Sequence, residues 1–172
     1  SDLPIGAFAL ADDPWHQRQF PILLSAHPSN TLLLAQSWKE SFAALKTWTS
    51  AYLNRQVNLN IHIVLLDGTF DHALGQLELP CIYANVSVDE QEDVFFLMNK
   101  LTQVRAKRET STQWLLVVHH VSALLEQYEQ GEEWLLHLAK DQGGCGIHLL
   151  LTARSSSELT ARLLRHFPEQ FV

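Results

Sequence analysis

The sequence is short of several residues that most readily betray chemistry. It has two cysteines, Cys81 and Cys145, far apart and each set beside apolar residues. With no CxxC pair and no cysteine run, neither a disulfide framework nor a zinc site is signalled, and a reducing, cytoplasmic setting is the expectation. Positive charge is also scarce: 12 Lys and Arg stand against 19 Asp and Glu, a formal net charge of -7. Bulk electrostatics therefore disfavours nonspecific nucleic-acid binding. The local cluster Arg105, Lys107 and Arg108 reads as a solvated helix end. No stretch reaches the roughly 18 consecutive apolar residues of a membrane span, and the N-terminus lacks the regions of a signal peptide. Any membrane anchor is expected outside these residues. There is no GxSxG, no HExxH, and no cysteine placed beside a histidine with an orienting acid.

What is present is a globular composition. Of 172 residues, 47% are hydrophobic and 18% charged, which suits one domain with one sizeable core. Ile5–Leu10 and Phe20–Leu24 read as short strands. From Thr31 to Asn54 apolar residues recur at steps of three and four, the period of a helix. Ile61–Leu66 is a β-branched run closed by Asp67-Gly68, a strong strand signal. Cys81–Ala84 reads as a strand, Asp89–Arg108 as a helix with acids first and bases last, and Trp114–Val118 as a buried strand. A helix around Trp134 follows, then a strand at Ile147–Ala153, a helix at Glu158–His166, and the beginning of a last strand in FPEQFV. Strands and helices alternate, and the central strands are continuous apolar runs of the kind buried on both faces. The expected fold is α/β: a three-layer sandwich with a mostly parallel central sheet.

In such sheets ligands bind beyond the carboxyl ends of the strands. Three segments fall there. The first is FPILLSAHPSNTLLL, laid out as strand, loop and helix in the manner of a phosphate-binding loop. Yet Ser25, His27, Pro28, Ser29, Asn30 and Thr31 supply neither the glycines that wrap phosphates nor the lysine that reaches them, and Pro28 lacks a backbone N–H. By spacing alone the segment is an ordinary turn. The second is WLLVVHH, whose end carries His119 and His120 where acids would hold magnesium. Mg²⁺ prefers oxygen ligands, and adjacent strand residues face opposite sides, so only one of the two rings is expected to reach the loop. The third is Thr152–Arg154. Asp67 ends a strand and reads either as an acid or as a turn cap, the cap being favoured. Of the five tryptophans, Trp38, Trp48, Trp114 and Trp134 are expected in the core, and Trp15 is the candidate exposed anchor.

Five segments, in order, resemble one family. They are LPIGAFALADDPWHQRQFPILL, IHIVLLDG, LELPCIYANVSVDEQEDV, WLLVVHHVSALLE and GGCGIHLLLTARSSSELTARLLRHFP. Together they resemble the FtsK/SpoIIIE-like ATPase modules of the type VII (EssC/EccC) secretion motor, over nearly the whole chain. The resemblance implies a RecA-like P-loop NTPase fold and a single, degenerate ATPase domain over residues 1–172, incomplete at its C-terminal end. It makes Ser25–Thr31 a vestigial phosphate loop, His119 and His120 a vestigial acidic strand end, and Arg154 sensor-like. The lost residues argue against ATP hydrolysis: no cofactor is expected, with ATP and magnesium at most weak, and no metal. The implied partners are neighbouring modules of the same motor chain, exported WXG-type substrates and, in the full protein, five further copies of a homo-hexamer. No nucleic acid is expected, and the implied place is the cytoplasmic face of the bacterial cell membrane. The implied role is substrate recognition, regulation or ring assembly. The alternatives are a nucleotide-binding or metal-dependent hydrolase with an unorthodox site, and a DNA-translocase module.

Overall fold

The computed structural model describes residues 7–13, 18–23, 30–56, 60–69, 71–141 and 144–172. Two strands near the N-terminus, β1 (Ala7–Asp13) and β2 (Arg18–Leu23), form an antiparallel pair. The remaining strands make one sheet in which every pairing is parallel. They are β3 (Thr31–Leu34), β4 (Asn60–Asp67), β5 (Ile82–Ser87), β6 (Thr112–His119), β7 (Ile147–Ala153) and β8 (Glu169–Phe171), in the order β5-β4-β6-β7-β3-β8. The expected mostly parallel α/β sandwich is therefore the observed architecture.

The sheet is parallel because its strands are apolar on both sides and need cover on both. All seven residues of β7 are buried. Along β4, Ile63 and Leu65 face one layer while Val64 and Leu66 face the other. Helix α1 (Trp38–Arg55) covers the first layer with Leu45, Trp48, Ala51 and Tyr52. Four helices pack on the second layer: α2 (Gln91–Lys107), α3 (Val121–Gln127), α4 (Gly131–Ala139) and the single turn α5 (Ala161–Leu164). The connection leaving β3 thus crosses one face of the sheet, and that leaving its neighbour β7 crosses the other. Their carboxyl ends border a crevice of the kind in which open α/β sheets bind ligands.

Two expectations need correction. The helix expected from Thr31 does not begin there; residues 18–23 belong to the antiparallel pair, and Thr31–Leu34 is itself a sheet strand. Thr-Leu-Leu-Leu is buried from both sides between β7 and β8, and a run this short fits a helical period as well as a strand. The helix begins only at Trp38, where Ser37 caps it. The expected helix around Trp134 is α4; α3 precedes it, and the two meet where Gly131 approaches the Leu124 carbonyl so closely that a Cβ would stand 3.0 Å away. Glu158–His166 is a 3-10 turn at Ser156–Glu158 followed by α5. Among the tryptophans, Trp48 and Trp114 are buried as expected and Trp134 is half-buried. Trp15 lies outside the described residues. Of the basic cluster at the end of α2, Arg105 pairs with Asp141 at 2.7 Å and Arg108 reaches the same carboxylate at 3.8 Å.

Asn30 immediately precedes β3 and is fully buried. Its Nδ2 donates to the Ala139 carbonyl at 3.0 Å, and its Oδ1 accepts the Leu149 backbone N–H at 3.0 Å. One amide thus ties the end of α4 to the middle of β7. Asn30→Ala strands two buried backbone groups, and the expected loss is about 2–4 kcal/mol of stability, read from urea unfolding.

Candidate functional site

The carboxyl ends of β3, β6 and β7 converge on one tryptophan. Only residues 35–37 separate β3 from α1, and Trp38 is the first helical residue. Its ring centroid lies 4.1 Å from that of His120, tilted by 40°, and 5.5 Å from that of His119, nearly perpendicular at 76°. The Arg154 guanidinium sits over the indole, 4.8 Å from its centroid. Helical spacing had placed Trp38 in the core; it stands half-buried at the end of the sheet, because the first residue of α1 has no sheet face opposite it.

Both histidines reach this site, against the alternation of a strand. The reason is the backbone of His120, which turns out of β6 with φ 59°, a region that non-glycine residues enter sparingly. Thr152 holds that turn. Its buried Oγ1 accepts the His120 backbone N–H at 2.9 Å and lies 2.8 Å from His119 Nδ1. The hydroxyl has two lone pairs and one proton, so it can serve either tautomer of the His119 ring. Nε2 is buried without a hydrogen-bond partner. On the neighbouring strand, Gly68 donates to the His119 carbonyl at 2.8 Å, and the His120 ring nitrogen Nδ1 lies 3.2 Å from the Gly68 carbonyl. A Cβ at position 68 would stand 2.5 Å from the His120 carbonyl oxygen, so the glycine permits this close approach.

Asp67 acts as the turn cap. One carboxylate oxygen accepts from the Thr69 backbone N–H at 2.9 Å and the Thr69 hydroxyl at 2.6 Å, the other from the Leu74 N–H at 3.1 Å. Among the described residues, no three His, Cys, Asp or Glu side chains are placed to hold a metal ion. Asn30 and Thr31, expected in a loop beyond a strand, instead precede and begin β3: Thr31 is buried and its hydroxyl donates to Glu169 Oε2 at 3.4 Å. Ser25, His27, Pro28 and Ser29 lie outside the described residues.

A nucleotide phosphate in this fold would rest against the N-terminus of α1. That terminus is occupied by its own side chains. Ser37 Oγ accepts the Glu40 N–H at 3.2 Å, and Glu40 Oε2 accepts the N–H of Gln36, the residue before the cap, at 3.1 Å, a variant of the capping box that reaches one residue further back. The residues at 36–38 include no glycine, and the carboxylate of Glu40 holds negative charge where a phosphate would have to come. The neighbouring strand end offers imidazoles in place of acids. These residues do not fit a magnesium nucleotide. The sequence signal for this helix start is Ser37-x-x-Glu40, which is less conspicuous than Ser25–Thr31.

No family model matches the chain, and no curated protein matches it. Solved structures do. The cytoplasmic domain of the Thermomonospora curvata type VII secretion ATPase EccC superposes with a TM-score of 0.74 at 20% identity, over 94% of this chain and 22% of that one. EssC (ATPases 2 and 3) from Geobacillus thermodenitrificans gives 0.75 at 17% identity, over 98% and 37%. This chain has the fold of the EccC and EssC ATPases. A further EccC structure, of ATPases 2 and 3 in complex with a signal sequence peptide, gives 0.68 at 20% identity, over 96% and 35%. The chain therefore spans between 22% and 37% of the length of these proteins. Among the described residues, no helix is long and apolar enough to cross a membrane.

Burial sets the acidity of His119. It lowers the pKa from 6.5 to about 4, outweighing the Asp67 carboxylate, which favours the cation, and acting in the same direction as His120. Between pH 6.5 and about 4 the unfolded chain binds this proton and the folded chain does not, so stability falls as pH drops through that window and is indifferent to the group above it. From pH 7 to pH 5 the wild-type protein should lose about 2 kcal/mol more than His119→Asn, compared by urea unfolding at both values.

Proposed function

We propose that this chain is a non-hydrolysing ATPase-fold module of a type VII protein secretion motor, acting through protein contacts in substrate recognition, regulation or ring assembly. One observation carries the loss of hydrolysis: Trp38 and Glu40 fill and charge the position against α1 that phosphates would need. Two others support the motor setting. The fold is that of EccC and EssC, and five sequence segments resemble those motor modules in order.

Phosphoryl transfer on such folds depends on positioning and charge neutralisation: a glycine-rich loop and lysine on the phosphates, and acids for magnesium. Removing a single electrostatic donor of this kind costs about 10² to 10³ in rate. Here the loop, the lysine and the acidic strand end are replaced together. His119 does not compensate as a base that activates water, because its Nδ1 is engaged by Thr152 and its Nε2 is buried.

On this reading residues 1–172 are a single module, and its neighbours in the same motor chain form one set of partners. Exported WXG-type proteins form another, and the EccC structure holding a signal sequence peptide supports a peptide-recognition role. The full motor is a homo-hexamer at the cytoplasmic face of the bacterial membrane, anchored by parts outside these residues. No ATP or metal is required by this module. Titration calorimetry with ATP and magnesium should give no binding heat, and a parallel assay no phosphate release; micromolar binding accompanied by release overturns the reading.

A further inference from the structure

We infer that the crevice between the carboxyl ends of β3 and β7 is a receptor for one carboxylate, presented by an acidic side chain of a bound polypeptide, with the Arg154 guanidinium as its recognition group. This goes beyond the non-hydrolysing reading and shares only its location.

Arg154 is exposed, and its side chain is held against Trp38. Among the described residues its guanidinium makes no ion pair and no hydrogen bond; only its backbone N–H is used, donating to Glu158 Oε2 at 3.3 Å. Contact with the indole restricts the rotamers of the guanidinium and leaves its N–H donors available to a ligand. The planar fork of a guanidinium matches the two oxygens of a carboxylate. The indole shields one face from water and reduces the rotamer freedom that would be lost on binding.

Arg154 also lines a cavity of about 530 Å³, shared by Leu34, Gln36, Glu40, Ala44, Ser156 and Val172, within the size range of ligand sites. Its position at the point where the connections of adjacent strands diverge is where α/β sheets place ligands. The charges around it choose the anion. Among the described residues lining the cavity Arg154 is the one cation, and Glu40 lines the same space. A phosphate dianion would meet one guanidinium against an opposing carboxylate, whereas a monoanionic carboxylate needs only the fork. Leu34 and Ala44 provide apolar wall for the stem that carries it.

The test uses the ¹⁵N-labelled chain, reading the Arg154 Nε–H and Trp38 indole N–H resonances. The probes are acetyl-Ala-Glu-amide, its glutamine counterpart and inorganic phosphate. The glutamate peptide should shift both resonances saturably with a Kd of about 1 mM, a weak affinity suited to one fork, and the glutamine peptide should not. Arg154→Lys, which keeps the charge and loses the fork, should weaken binding about tenfold with an unchanged backbone spectrum. The inference is overturned by absence of a saturable shift, by equal shifts with the glutamine peptide or in Arg154→Gln, or by tighter binding of phosphate than of the glutamate peptide. Magnesium-ATP titrated into the same sample separates the two readings. Silence toward both ligands removes only the carboxylate receptor, while tight ATP binding without a response to the glutamate peptide removes it and counts against the non-hydrolysing module as well.

Discussion

The Thr152 hydroxyl is the pin of the carboxyl end of the sheet. It engages the His119 ring and the His120 backbone N–H at once, and in doing so joins the last residue of β6 to the turn that follows. Without it, His120 has no evident reason to hold a left-handed backbone, and its ring would not be turned toward the β3–α1 connection. The contact of His120 with Trp38, and of Trp38 with Arg154, follows from that single side chain. Its burial also excludes water from His119, which is why the imidazole there stays neutral well into mild acid.

Helix α1 provides the complementary constraint. A helix N-terminus exposes unpaired N–H groups and a partial positive charge, which makes it a natural seat for anions. Here Ser37 caps the Glu40 N–H, and the Glu40 carboxylate accepts the Gln36 N–H just before the helix. The negative charge held at this end opposes a phosphate. The attraction for anions at this crevice passes from backbone dipoles to a side chain on the opposite wall, Arg154.

Much of the architecture was readable from residues. Ile61–Leu66, Trp114–Val118 and Ile147–Ala153 announce buried parallel strands because each is a continuous apolar run between turn residues, and all three lie within the observed β4, β6 and β7. Thr31–Leu34 was misread because four apolar-edged residues satisfy a helical and an extended pattern alike. That error displaced the expected loop by about one strand length and drew attention to Ser25–Thr31 instead of residues 35–38. His119, His120, Thr152 and Arg154 were each visible as strand-end residues, but their convergence was not. It depends on a positive φ at a histidine, which no spacing rule anticipates, and on parallel register between β6 and β7, which is a property of pairing and not of either segment. Trp38 was hidden for a related reason: helical periodicity assigns a face, yet the first residue of a helix can project past the end of the layer that the face covers.

The contacts of Trp38 with both His120 and Arg154 make these positions dependent on one another. Replacing His120 by an acid would remove the surface on which Trp38 lies; replacing Trp38 by a small residue would release Arg154 and leave a hollow beside two imidazoles; and neither change would free the helix end from Glu40. Gly68, pressed against the backbone of His119 and His120, limits how far the strand ends can shift to absorb such changes. A phosphate-binding surface here would therefore demand several coordinated substitutions, each unfavourable when made alone. The end of this sheet is locked into its present chemistry by the mutual dependence of its parts.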